Sequence, residues 1–247
     1  MNALEFDILL PAFFAGLLVL ATHIPFGMRV LQRGVIFADL AVAQIAGLGV
    51  VIAGLLDLTD QPLLVQLIAG SSALCGAVLL AWIERNASEV KEAYIGLTFV
   101  LAASLGILLM SRDVHAGEHL QDLLVGQILW VNNTQLISTA VLSAALLIVW
   151  HRLHNSQNHF VFYALFALAI TASVQLVGIY LVFASLIVPA LATYQLQRRM
   201  TFAFGIGIAG YVLGLLLSIW LDLPAGVAIV WAMALIGLLS ALLKRTG

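Results

Sequence analysis

Long apolar runs alternate with short polar stretches along most of the chain. The runs cover residues 8–28, 34–56, 62–83, 93–110, 135–150, 160–177, 179–196, 201–221 and 225–243. Several of them approach the roughly 20 residues that a helix needs to cross a bilayer. The pattern therefore predicts an all-α polytopic membrane protein with eight or nine transmembrane helices.

Three apolar segments depart from this regular pattern. Segment 120–131 is too short to cross a membrane and predicts a re-entrant or interfacial helix. Segments 135–150 and 160–177 are also short, so they are expected to be tilted or broken.

The composition excludes a soluble catalytic domain. Of the 247 residues, 63% are hydrophobic and only 9% are charged, whereas a soluble domain carries about a quarter charged residues. The spans use nearly the whole chain, so residues 1–247 are expected to form one transmembrane domain. Neither a Walker phosphate loop nor a GxSxG motif is present. The chain is therefore not expected to be an enzyme, and a separate subunit would have to hydrolyse any ATP that drives it.

The basic residues fall in alternate loops. Arg112 is the one exception among Arg29, Arg33, Arg85, Lys91, Arg112, Arg152, Arg198, Arg199, Lys244 and Arg245. Cytoplasmic loops of membrane proteins carry the excess of Lys and Arg. The charge pattern therefore predicts an outer N-terminus, a cytoplasmic C-terminus and an acidic outer face.

Asp39 is the one carboxylate within a membrane-length apolar run. A charge at membrane depth costs several kcal/mol and typically marks a transport pathway or a paired group. On a helix it shares one face with the small residues Ala43 and Gly47. A second interpretation remains open: Asp39 lies only about 9 Å along a helix from Arg33, so water at the membrane surface could hydrate it.

Gln44 is the next polar residue of this run. It points about 140° away from Asp39 around a helix, so one straight helix cannot direct both side chains at one ion. The two residues would then line a path at different depths or across a dimer seam. An ordinary interhelical hydrogen bond is the alternative interpretation of Gln44.

The outer loop contains a possible metal-binding group. If this loop is helical, His115 and His119 lie one turn apart with Glu118 beside them. Imidazole and carboxylate ligands suit zinc and, less well, manganese or iron. A solvated loop without metal is the alternative.

Three parts of the sequence together resemble the membrane permease subunits of bacterial zinc/manganese/iron ABC importers. They are Arg33–Gly49; Glu92–Gly96 with Ala103–Gly106 and Asp122–Leu129; and Val174–Ala190 with Leu223–Val230. The third part is the most specific, and the resemblance follows most of the chain in the same order. It implies the bundle of a type II, cobalamin-importer-like ABC permease in a bacterial inner membrane.

The resemblance also implies partners and a substrate. The permease would form its ion path as a homodimer, with a cytoplasmic ATPase dimer and an outer metal-binding protein. The transported ion would be a divalent metal, zinc first and manganese or iron as alternatives, with no cofactor bound by the chain. The family's histidine on the second helix is matched here by Gln44, and Asp39 is one residue out of the usual spacing.

Two short cytoplasmic loops, residues 84–92 and 151–159, are the expected docking surface for the ATPase. The residues assigned to docking are Glu84, Arg85, Glu89, Lys91, Arg152 and His154. The second loop is shorter than the family's. Its histidines could instead bind metal or respond to pH.

Glycine and proline mark two further features. Gly178 lies where two apolar runs meet and permits the chain to reverse, and Pro189 is expected to kink the returning helix, which together would form a gate. Gly210 and Gly214 form a GxxxG pattern that lets helix backbones approach closely. Packing inside the bundle is the favoured interpretation of this pattern, ahead of dimerisation.

Two other function classes remain open. An ion-coupled secondary transporter would use Asp39 as its coupling carboxylate and need no ATPase. A membrane scaffold without transport activity is the third interpretation, which the acid in the second span and the broken helices disfavour.

Overall fold

The computed structural model describes residues 3–58, 60–111, 124–153 and 158–245. This part of the chain contains α1 (Ala3–Arg33), α2 (Ala38–Leu55), α3 (Pro62–Asn86), α4 (Lys91–Met110), a short 3-10 turn (Ile128–Trp130), α5 (Asn133–Leu153), α6 (His159–Val177), α7 (Ile179–Ala192), α8 (Arg199–Leu221) and α9 (Ala225–Arg245). No strand occurs among these residues, so the predicted all-α architecture is confirmed.

Eight of these helices are long and apolar enough to cross a membrane. The helix α7 has only 14 residues, which rise about 21 Å, less than the roughly 30 Å of a hydrocarbon core. The expectation that the segments of α5 and α6 are short is wrong, since these helices have 21 and 19 residues. Of the predicted 120–131 helix, residues 124–131 are described, and they include the 3-10 turn.

The outer surface of the helices is apolar. Large side chains such as those of Leu63, Trp220 and Trp231 are exposed. In α4 only Ile95, Ala102 and Met110 are buried. Helices that are apolar all round are typical of membrane spans, because lipid surrounds the outward faces.

The chain divides into two compact units whose segments alternate along the sequence. Unit 1 comprises Met1–Arg33, Leu124–Leu147 and Ser173–Gly247, and unit 2 comprises Gly34–Leu123 and Ile148–Ala172. The single-domain organisation stays a prediction.

Unit 1 is held together by close helix packing. The helix α1 packs against α7 and α8, and α9 packs against the same two helices. A Cβ atom on Gly210 or Gly214 would lie within 3.0 Å of Met233 or Ile229 on α9. The GxxxG pattern therefore serves packing inside the bundle, as predicted.

Unit 2 places the start of α2 beside the start of α4. The helix α2 packs against both α3 and α4. Gly49 on α2 lies so close to Ser72 and Ala69 on α3 that a Cβ atom would clash with them. This tight contact fixes α2 on α3 and thereby fixes the position of Asp39 at the other end of α2.

Candidate functional site

Asp39 lies in the first turn of α2, because that helix begins at Ala38. The sequence predicted a position further inside a helix, and the shorter helix corrects this. Its side chain is nevertheless only 1% exposed, and neither carboxyl oxygen has a hydrogen-bond partner in the described part of the chain. Bulk water at the membrane surface therefore does not solvate Asp39 in this chain.

The residues beside Asp39 on the same face of α2 are small and buried. Ala43 is 1% exposed, and Gly47 is also buried. The predicted face with one carboxylate followed by small side chains is thus present in the interior of the chain. Small residues on such a face allow a neighbouring helix to approach closely.

Glu92 is the second acid of this region and lies in the first turn of α4. Its Oε1 atom accepts a hydrogen bond of 2.9 Å from the backbone N–H of Phe37, immediately before α2. Its Oε2 atom is buried without a hydrogen-bond partner among the described residues. The charges of Glu92 and Asp39 lie close enough to interact. The two acids, 53 positions apart in sequence, therefore form an acidic pair at the starts of α2 and α4.

Gln44 and the outer-loop residues do not complete this pair in the described structure. Gln44 is half-buried and points about 140° around α2 from Asp39. His115, Glu118 and His119 lie outside the described residues. Within the described ranges, no group of three or more His, Cys, Asp or Glu side chains could hold a metal ion. The metal-binding roles of these four residues stay predictions.

A junction of three glycines lies in unit 1. Gly126 and Gly178 have φ angles of 72° and 80°, which few side chains tolerate. A Cβ atom on Gly178 would meet the backbone of Val125 and Gly126. A Cβ atom on Gly226 would lie 2.5 Å from the carbonyl oxygen of Val125. Glycine is therefore required wherever these three backbones touch.

This junction brings together distant parts of the sequence that carry the family resemblance. Gly126 comes from the second part and Gly178 and Gly226 from the third. The helix α7 begins directly after Gly178 and contains Pro189, whose carbonyl oxygen accepts a hydrogen bond of 2.7 Å from Thr193 Oγ1. The hydroxyl of Thr193 therefore supplies a hydrogen-bond donor to the carbonyl group of Pro189 itself. The gating roles of Gly178 and Pro189 stay predictions.

Comparison with known proteins now identifies the family. The model of the ABC 3 transport family matches residues 5–157 and 151–244, which is nearly the whole chain. The chain belongs to the ABC 3 transport family.

Two curated relatives match over most of their length. The chain is 26% identical to the high-affinity zinc uptake system membrane protein ZnuB of Haemophilus influenzae, over 97% of this chain and 98% of that protein. It is 25% identical to the manganese transport system membrane protein MntC of Halalkalibacterium halodurans, over 92% of this chain and 84% of that protein.

A solved structure supports the fold. PsaBC from Streptococcus pneumoniae, in complex with Fab, superposes with a TM-score of 0.75 at 23% identity and covers 97% of this chain and 95% of that chain. The chain therefore has the bundle fold of an ABC permease, as the sequence predicted.

The predicted docking residues of this family member differ in exposure. Arg85, Glu89 and Arg152 are exposed, and Lys91 is half-buried. Glu84 is only 8% exposed and pairs with His159, whose Nδ1 atom lies 2.7 Å from Glu84 Oε2. This pair joins the end of α3 to the start of α6. His154 lies outside the described residues, and the docking role of the whole set stays a prediction.

A cleft opens beside the Glu84–His159 pair. It has a volume of about 640 Å³, and its lining includes Trp82, Arg85, Asn86, Asn158, His159 and Phe160. The aromatic walls and polar rim are typical of a membrane–water interface. This cleft could not be predicted from the sequence. Its two sides come from α3 and from the start of α6, and no local sequence pattern indicates that these helices are in contact.

Proposed function

We propose that this chain is the permease subunit of an ATP-driven importer of a divalent transition metal ion, with Asp39 on the ion path. The observation that carries this proposal is a buried carboxylate with no hydrogen-bond partner among the described residues. It lies in a chain that matches membrane proteins of metal transport systems over nearly its whole length. A buried acid in a membrane protein typically marks an ion pathway.

We propose that the transported ion is one of the metals named for the relatives or for the family. The relatives' names specify zinc and manganese, the family resemblance adds iron, and similarity at this level favours none of the three. We propose a homodimer around the ion path, as the family resemblance implies.

The orientation follows from the positive-inside rule. Arg33 ends α1 shortly before α2, Arg85 lies in the last turn of α3, and Lys91 begins α4. The starts of α2 and α4 would then face the cytoplasm, where an ATPase dimer docks. A metal-binding protein would deliver the ion at the acidic outer face, and the protein would reside in a bacterial inner membrane.

The test is metal uptake by reconstituted vesicles. The permease, co-purified with its ATPase, is placed in vesicles, and uptake of Zn²⁺, Mn²⁺ and Fe²⁺ is measured with ATP and with ATP plus vanadate. We expect ATP-dependent, vanadate-sensitive uptake of at least one of these ions, and metal-stimulated ATP hydrolysis that Asp39→Ala abolishes.

Two results would contradict the proposal. Uptake that follows an ion gradient without any ATPase would identify a secondary transporter. Unchanged uptake and unchanged ATP hydrolysis in Asp39→Ala would remove Asp39 from the path.

A further inference from the structure

Among the described residues, three buried carboxyl oxygens at the starts of α2 and α4 have no hydrogen-bond partner within the usual distance and angle limits. They are Oδ1 and Oδ2 of Asp39 and Oε2 of Glu92. The fourth oxygen of the acidic pair, Glu92 Oε1, is held by the backbone N–H of Phe37 at 2.9 Å. The backbone thus fixes one side of the Glu92 carboxyl group and leaves its other oxygen unused.

The helix start compensates only in part for this arrangement. The backbone N–H groups of Asp39 and Leu40 favour the charged carboxylate, but the stabilisation from a helix dipole is small. The free-energy cost of burying an ionised carboxylate without a partner is much larger, and a second negative charge nearby raises that cost. A positive charge between the two carboxyl groups would remove both penalties.

We propose that Glu92 and Asp39 together bind the transported divalent cation, so that Glu92 is a second carboxylate ligand of the ion path. This inference rests on the proposed function and adds a residue that the sequence assigned to no metal. Both acids supply oxygen, and carboxylate and water oxygens suit ions such as Mn²⁺. Mg²⁺, which shares this preference for oxygen ligands, is commonly held by one or two carboxylates with water molecules completing its coordination.

The position of the acidic pair places this binding step at one end of the path. Both residues lie in first helical turns, next to the basic segments that the charge pattern assigns to the cytoplasm. The buried small-residue face of α2 leads from Asp39 past Ala43 to Gly47, away from that end. The ion would therefore meet the acidic pair last, before its release into the cytoplasm.

The hydrogen bond from Phe37 to Glu92 suggests a variant that removes the charge of Glu92 without removing this contact. Glu92→Gln keeps an oxygen that can accept the hydrogen bond from Phe37 and keeps the side-chain size, but it removes the negative charge. Glu89→Gln is the matched control, because Glu89 is an exposed acid of the same short segment. Asp39→Asn is the corresponding change on α2.

The experiment measures binding of Mn²⁺ to the intact transporter complex in lipid nanodiscs, by electron paramagnetic resonance, and ATP-driven Mn²⁺ uptake in vesicles. We expect Glu92→Gln to weaken binding about tenfold or more, the loss typical even for residues that only support a metal ligand, and to reduce uptake in parallel. Glu89→Gln should bind Mn²⁺ as tightly as the unsubstituted complex does; it is a control for ion binding only, because Glu89 belongs to the predicted docking surface for the ATPase. Since both acids would hold one ion, the double variant should lose little more than either single variant.

Three results would overturn the inference. One is Mn²⁺ binding by Glu92→Gln equal to that of Glu89→Gln. Another is a double variant in which the two losses multiply independently. The third is an unsubstituted complex that transports metal but binds no Mn²⁺ at all. If the unsubstituted complex transports no metal under any condition, the proposed function itself fails, which is a separate outcome.

Discussion

Two buried acids of unit 2 have opposite surroundings. Glu84, at the end of α3, is 8% exposed and lies 2.7 Å from His159. Asp39, at the start of α2, is 1% exposed, and neither of its carboxyl oxygens has a hydrogen-bond partner among the described residues. The first acid is already paired within the chain and serves structure. The second is incomplete without a ligand, which is the arrangement expected where an ion binds.

The largest effect is expected from Asp39→Asn. This change removes the charge and retains the shape, so ATP-driven metal uptake should fall by about 100-fold, toward the upper end of losses at metal sites. Thermal stability measured without metal should stay equal or rise, because a buried, uncompensated charge is removed. A large loss of stability with normal uptake would contradict this prediction. It would show that Asp39, like Glu84, stabilises the fold and does not bind the ion.

His159→Ala should have the next largest effect, on stability and not on transport. It removes the Nδ1 atom that lies 2.7 Å from Oε2 of the largely buried Glu84 side chain, and loss of such a hydrogen bond typically costs about 1–3 kcal/mol. The measurement is thermal unfolding of the detergent-solubilised permease, with Glu89→Gln as a control at an exposed acid nearby. An unchanged unfolding temperature would show that the pair contributes nothing to stability.

Combining Glu84→Gln with His159→Ala should cost less than the sum of the two single changes. Both changes remove the same contact, so the two losses of stability should differ from additivity by about 0.5–3 kcal/mol. A double-mutant cycle in thermal unfolding measures this energy. Strictly additive losses would mean that Glu84 and His159 do not act as a pair.

Gln44→Ala should have the smallest effect. Gln44 points away from Asp39, and an interhelical hydrogen bond in a membrane is worth about 0.6 kcal/mol, which is about a threefold change. Metal uptake should therefore fall by no more than about threefold. A loss as large as that of Asp39→Asn would place Gln44 on the ion path, as expected if it approached the ion across a dimer seam.

The sequence was sufficient for the architecture. Long apolar runs, such as that of α8, are long enough to cross a bilayer and are typical of membrane spans in a chain with so few charged residues. Helix ends were less predictable. The run 34–56 was expected to be helical throughout, but α2 begins only at Ala38, and this moves Asp39 into the first turn.

Of the two residues in the acidic pair, only Asp39 could be predicted from the sequence. Asp39 is conspicuous because apolar residues surround it in the sequence. Glu92 lies in a polar segment with Glu89 and Lys91, so it resembled a solvent-exposed loop residue. Its burial depends on how closely α4 approaches the segment before α2, and only the contact with the N–H of Phe37 shows this.

The glycine junction could also be predicted only in part from the sequence. Gly178 was predicted as a reversal point from its place between two apolar runs. Its contact with Gly126 joins positions that are 52 residues apart. No local pattern encodes such a contact, although the blocks that resemble the family contain both glycines.

The most direct test is to locate a bound ion. Crystals of the transporter complex soaked in Mn²⁺ would be measured near the manganese absorption edge, and an anomalous difference map would be calculated. The account predicts a peak between the carboxyl groups of Asp39 and Glu92 that is absent in Glu92→Gln. Occupied manganese sites elsewhere in the complex, with no peak at these two acids, would contradict it.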